Sequence, residues 1–136
     1  MAYWLMKSEP DVFSVEDLRR KGVAGWDGVR NYQARKNLRA MRKGDVAFFY
    51  HSSVEPTAIV GLMEIVREAY PDPTADESGW DQVDVKFVKT FAKPLTLAEI
   101  KKTPALKTMV LLKNSRLSVQ PIAPAESKQL LKLLEN

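Results

Sequence analysis

The sequence predicts an α+β fold in which a mixed β sheet curls into a pseudo-barrel flanked by short helices. Three observations carry this. Strand-like segments crowd the middle of the chain while helical ones sit at its flanks. Residues 81–91, DQVDVKFVKTF, alternate apolar and polar as a strand with one buried face does. Gly61 interrupts the long strand-like run at 58–70, and a glycine inside a strand bends or bulges a sheet toward closure. A chain of 136 residues can bury a core of its own, so residues 1–136 are expected to form one domain.

Residues 2–7, AYWLMK, read as an opening strand stopped by Ser8-Glu9-Pro10. Ser14 with Asp17 three residues on makes a capping box, and Gly22 after Arg19-Arg20-Lys21 is a stop, giving a helix over about 15–21. Residues 26–30 are loop. Asn31 then caps a helix that ends near Lys43-Gly44, with Ala34, Leu38 and Met41 on one stripe and Arg35, Arg39 and Arg42 on another. Tyr32 falls with the arginines, which implies an exposed ring. Residues 45–51 and 58–70 form strands, residues 71–79 are turn chemistry, and the strand at 81–91 places Val83, Val85, Phe87 and Phe91 on one face. Thr96 and Glu99 box a short helix that Pro104 ends, and residues 105–113 suit either a helical turn or an apolar strand. Residues 116–122 close the sheet. Pro124 opens a last helix whose Leu130, Leu131 and Leu134 cover a core.

Composition excludes several chemistries. There is no cysteine, hence no disulfide, thiolate metal site or cysteine nucleophile, and the single histidine, His51, rules out any site needing two imidazoles. Phosphate-loop, dinucleotide, zinc-protease and nucleophile-elbow motifs are all missing. No cofactor and no metal are expected. No apolar run is long enough to span a bilayer, and MAYWLMKSEP does not read as a charged leader followed by an apolar core and cleavage site, so a cytoplasmic protein is expected, with access to the nucleoid if the source is bacterial.

The net charge of +4, from 21 basic and 17 acidic residues, says less than its distribution. Between Asp27 and Asp45 there is no acid, while Arg30, Arg35, Lys36, Arg39, Arg42 and Lys43 fill the interval. Cations beside Trp26, Asn31, Tyr32 and Gln33 supply what a nucleic-acid reader needs: charge for phosphate, flat rings for an unstacked base and amides for its edge. Core packing answers equally well for Trp26, and Trp4 and Trp80 read as core.

Four strings in the same order across nearly the whole chain, YWLMKSEP, W-x-GVRNYQAR-x-x-LR-x-M-x-x-GD, FFYHS and RLSVQPI, resemble the EVE domain of the PUA-like superfamily, related to the YTH domains. The resemblance implies a PUA-like barrel that reads a modified base in nucleic acid, chiefly a modified cytosine in DNA. By position, it implies a base pocket of Lys7, Ser8, Glu9, Trp26, Asn31, Tyr32, Gln33, His51 and Ser52, phosphate contacts from Arg30, Arg35 and Arg39, and support from Arg116, Leu117 and Ser118. One departure concerns packing: the family's last helix often carries a tryptophan near its start, where this chain has Ser127. The expected partner is nucleic acid carrying a modified base, bound by a monomer, with no membrane or metal. Two alternatives share the pocket: an enzyme acting on a modified base or nucleoside through Lys7, Glu9 or His51, and an RNA-binding PUA-like module.

Overall fold

A computed structural model describes residues 1–135. The chain runs β1 (Tyr3–Ser8), α1 (Val15–Lys21), β2 (Val23–Gly25), α2 (Tyr32–Ala40), β3 (Val46–His51), β4 (Ala58–Pro71), β5 (Asp81–Thr96), α3 (Leu97–Lys101), a 3-10 turn (Pro104–Leu106), α4 (Val110–Lys113), β6 (Val119–Ile122) and α5 (Pro124–Leu134). The strands form one mixed sheet in the order β2-β5-β4-β3-β1-β6, in which β1 and β3 are parallel and every other neighbour is antiparallel.

Alternation along the strands builds a core on each face. Trp4, Met6, Ala47, Phe49, Met63, Ile65, Val83 and Val85 point one way, toward Val15 and Leu18 of α1 and Ala34 and Leu38 of α2. Leu5, Phe48, Ile59, Leu62, Phe91 and Leu95 point the other way, under Ile100, Leu130 and Leu134. The sheet is curled, because α2 packs against β6 at one end of the strand order and against β5 and β4 toward the other. Asn37 donates from its amide to the Val119 carbonyl (2.7 Å) and Arg39 pairs with Asp81, so one helix ties the two ends together. This is the α+β pseudo-barrel that the sequence predicts.

Local chemistry explains the bends. Both predicted capping boxes form: the Ser14 and Thr96 hydroxyls accept from the backbone amides of Asp17 and Glu99, whose carboxylates accept in return from the backbone amides of Ser14 and Thr96. A Cβ on Gly61 would lie 2.8 Å from the Lys89 carbonyl and 2.8 Å from Val15 Cγ2, so only glycine lets α1 press onto β4 and β5 here. Beside it, Val60 is an extra residue against β3, since Phe49 faces Gly61 and Tyr50 faces Ile59.

Several expectations need correction. Phe91 does not share a face with Val83 and Val85: Leu62 faces Lys89 while Met63 faces Phe87, so Val88 is a bulge that turns the rest of β5 over into the second core. Helix α2 stops at Ala40, not near Lys43-Gly44. Met41 leaves it in an extended conformation, stays buried, and lets Asp45 accept from the amides of Ala2 and Arg42 and the indole of Trp4. Burial would raise the Asp45 carboxyl, but these three donors hold it below its ordinary value. Residues 116–118 form a turn before β6 and are not strand. Strand β2 was too short to show a period, and the ambiguous 105–113 stretch holds the 3-10 turn and α4. Trp80 is half-buried in a surface loop instead of core. Ser127 is buried, its hydroxyl donating to the Pro124 carbonyl, and lines a hollow of about 440 Å3 with Tyr3, Ile122 and Leu131.

Candidate nucleic-acid interface

The loop between β2 and α2 is the centre of the site, and a buried carboxylate holds it. Asp72, at the end of β4, accepts from the Gly28 amide (2.8 Å), the Arg30 guanidinium (2.9 Å) and the Thr74 amide and hydroxyl (2.8 and 2.7 Å). Burial would raise this carboxyl, yet the donors outweigh that and lower it to about 2. Gly28 sits at φ 81°, a conformation that suits glycine, and this aims its amide at Asp72.

On one side of this loop lies a hollow of about 100 Å3, walled by Lys7 and Ser8 of β1, Val12 and Phe13 of the following turn, and Gly25, Trp26 and Asp27. Drug-sized ligands occupy about 300–1,000 Å3 and a water about 30 Å3, so the hollow has room for a single small ring. Trp26 serves both readings at once. It is 6% exposed, packs edge-on against Phe49 (5.2 Å between centroids) and Phe13 (6.2 Å), and still contributes to the wall. Its backbone amide is fixed by the Val83 carbonyl at 2.8 Å.

Lys7 is the cation of this wall. Its amide donates to the Ser118 carbonyl (2.9 Å), its ammonium donates to the Ser115 carbonyl (2.6 Å), and burial pushes its pKa below the ordinary 10.5. The segment around Arg116, Leu117 and Ser118 thus braces Lys7, with Leu117 in the core and Arg116 exposed. The Ser8 hydroxyl donates to the Phe13 carbonyl (2.6 Å), closing the turn that carries Val12.

The other residues expected in the pocket lie outside its wall. Glu9 is exposed, and its carbonyl accepts from the amides of Val12 and Phe13. His51 Nε2 accepts from the Val15 amide (3.1 Å) at the start of α1, and burial lowers its pKa, so the ring is a neutral brace. Ser52 donates its amide to the Ser8 carbonyl (3.0 Å). The Asn31 side chain caps α2 by accepting from the Ala34 amide (2.9 Å), and Gln33 is exposed and reaches only Asn37.

Tyr32 is not part of the wall either. It is 71% exposed and stacked on Trp80, with centroids 5.3 Å apart and planes 24° from parallel. The arginines expected to meet phosphate are engaged within the protein: Arg30 with Asp72, Arg35 with the Gly79 carbonyl and Arg39 with Asp81. Lys36 and Arg42, by contrast, are exposed and form no ion pair among the described residues. Sequence reasoning missed Val12, Phe13 and Asp27 as wall residues and Asp72 as the latch, because a turn and a distant loop bring them in.

A curled mixed sheet clasped by a helix, with a ring-sized hollow beside that helix's entry loop, defines a small ligand-recognition module of the PUA-like kind. The EVE domain model matches residues 2–133, and the chain belongs to that family. It is 44% identical to mouse thymocyte nuclear protein 1 over 166 aligned positions, covering 98% of this chain and 74% of that protein. The fold matches the crystal structure of the human THYN1 protein in complex with DNA containing 5-methylcytosine, with TM-score 0.91 and 42% identity over 100% of this chain and 99% of that one. A likeness in fold alone extends to the Mmi1 YTH domain, with TM-score 0.63 and 15% identity over 98% and 88% of the two chains.

Proposed function

We propose that this protein reads a modified base, a modified cytosine in DNA, by taking it out of the stack into the hollow beside Trp26. The observation that carries the reading is that hollow: ring-sized, apolar at Val12, Phe13 and Trp26, with Lys7 and Asp27 as the charged residues of its wall, and set in a chain similar throughout to a protein seen with methylcytosine DNA. Extruding a base costs a few kcal/mol, and stacking returns about 1–3 kcal/mol, so the two nearly cancel. The modification then decides. A methyl group buried against Val12 and Phe13 contributes about 0.8 kcal/mol from transfer alone, and shape fit in an apolar pocket extends that to about 1–3 kcal/mol, or 10- to 200-fold.

Binding, not turnover, is the role that the placement of His51 supports. Its Nε2 lone pair is taken by the Val15 amide, which leaves the neutral ring's other nitrogen protonated and the ring without a free base. The test is a panel of duplexes that differ only in one cytosine, unmodified or 5-methylated, bound at two salt concentrations. We expect about tenfold preference for the modified duplex, independent of salt, and a smaller preference in Trp26→Phe, which keeps the core filled. Equal affinity for all duplexes in the wild type overturns the reading.

A further inference from the structure

The Tyr32–Trp80 pair lies apart from the hollow, and the core does not explain it. A large aromatic ring that is 71% exposed at the first position of α2 gains little from burial, yet it is held nearly parallel to a second ring. Trp80 is fixed in turn, because its carbonyl accepts from the Asp72 amide (2.9 Å), the same residue that latches the 27–31 loop. Arg35 lies 5.0 Å from the Tyr32 ring and 5.2 Å from the Trp80 ring, and Arg30 lies 5.8 Å from Trp80. Planar cations and stacked rings at one exposed spot make a surface on which a base can lie, since every base offers a π face.

Its position relative to the hollow fits one strand of nucleic acid. Asp27 lines the hollow and Tyr32 is five residues on, so their Cα atoms are at most about 18 Å apart, the rise of roughly five stacked bases at 3.4 Å each. The 71–80 loop also carries Asp76 and Glu77, both exposed, so the pair is better suited to stacking than to attracting phosphate.

We propose that Tyr32 and Trp80 form a second stacking platform, which holds an unstacked base of the same nucleic acid within about five nucleotides of the modified one and adds affinity without reading the modification. This rests on the reading of the hollow given above.

The experiment is an abasic scan. An abasic site is placed in turn at each of five positions on either side of a 5-methylcytosine, and affinity is measured for wild type, Tyr32→Ala and Tyr32→Phe, with thermal melts of all three. We expect one abasic position to weaken wild-type and Tyr32→Phe binding by roughly five- to a hundredfold. Tyr32→Ala should be weakened by a similar factor on intact DNA, methylated and unmethylated alike, should ignore that abasic position, and should melt as the wild type does. If Tyr32→Ala binds as the wild type does at every position while the preference for methylcytosine persists, the platform is overturned and the pair only clamps the 71–80 loop. If the wild type shows no preference but the abasic coupling to Tyr32 is present, the reading of the hollow fails and the platform stands.

Discussion

His51 shows how one side chain decides between chemistries that the sequence alone leaves open. Next to Ser52 and Ser53 it has the makings of an acid–base group; in the fold it terminates a backbone donor and packs edge-on to Phe49 at 5.4 Å. This has a measurable consequence. Burial holds its pKa below the ordinary 6.5, so the unfolded chain takes up the proton first as pH falls. Its contribution is therefore complete above about pH 6.5 and declines as pH drops below that value. His51→Ala should lose about 1–3 kcal/mol at pH 8 by stranding the Val15 amide. His51→Gln, which can still accept, should recover part of that and remove the histidine's share of the pH dependence between 7 and 5. Thermal melts across that range check both.

The loop latched by Asp72 belongs to the next scale, because one carboxylate orders an entire element. With its pKa lowered from 3.8 to about 2, it contributes about 2 kcal/mol above pH 4, and this is lost as pH falls toward 2. Asp72→Asn should be less stable at pH 7 by about that amount and show a flatter acid limb in denaturant titrations. It should also bind modified DNA more weakly, since Gly28 and Arg30 lose their shared anchor. Elements of this kind divide what sequence could and could not reveal. Capping residues such as Ser14, Thr96 and Asn31, and the stripe of Ala34, Leu38 and Met41, act within a turn or two of themselves and were legible as written. The Val88 bulge and the Asp72 latch depend on a partner 26 or more residues away, between Val88 and Leu62 or between Asp72 and the 28–30 segment, and no local pattern marks them. The pocket was legible through resemblance, as a set of strings. The fold divides that set, keeping Lys7, Ser8 and Trp26 at the hollow, setting His51 and Asn31 to brace helices, and leaving Tyr32 outside.

For the molecule as a whole, electrostatics and closure matter most. Because Arg30 and Arg39 already face Asp72 and Asp81, they have less charge to offer phosphate than their place in the sequence suggests. The plot of log affinity against log salt should become shallower by up to about 0.9 in Arg42→Ala or Lys36→Ala, and by less in Arg39→Ala. Titration of the three variants over 50 to 200 mM salt decides the order. Helix α2, which carries Lys36 and Arg39, also joins β6 to β5, through Asn37 on one side and Arg39 on the other. A clasp cannot come loose while the barrel stays shut. The amides of this helix should therefore exchange with solvent only when the whole protein opens, and a ligand held at its entrance should slow exchange in strands it never touches.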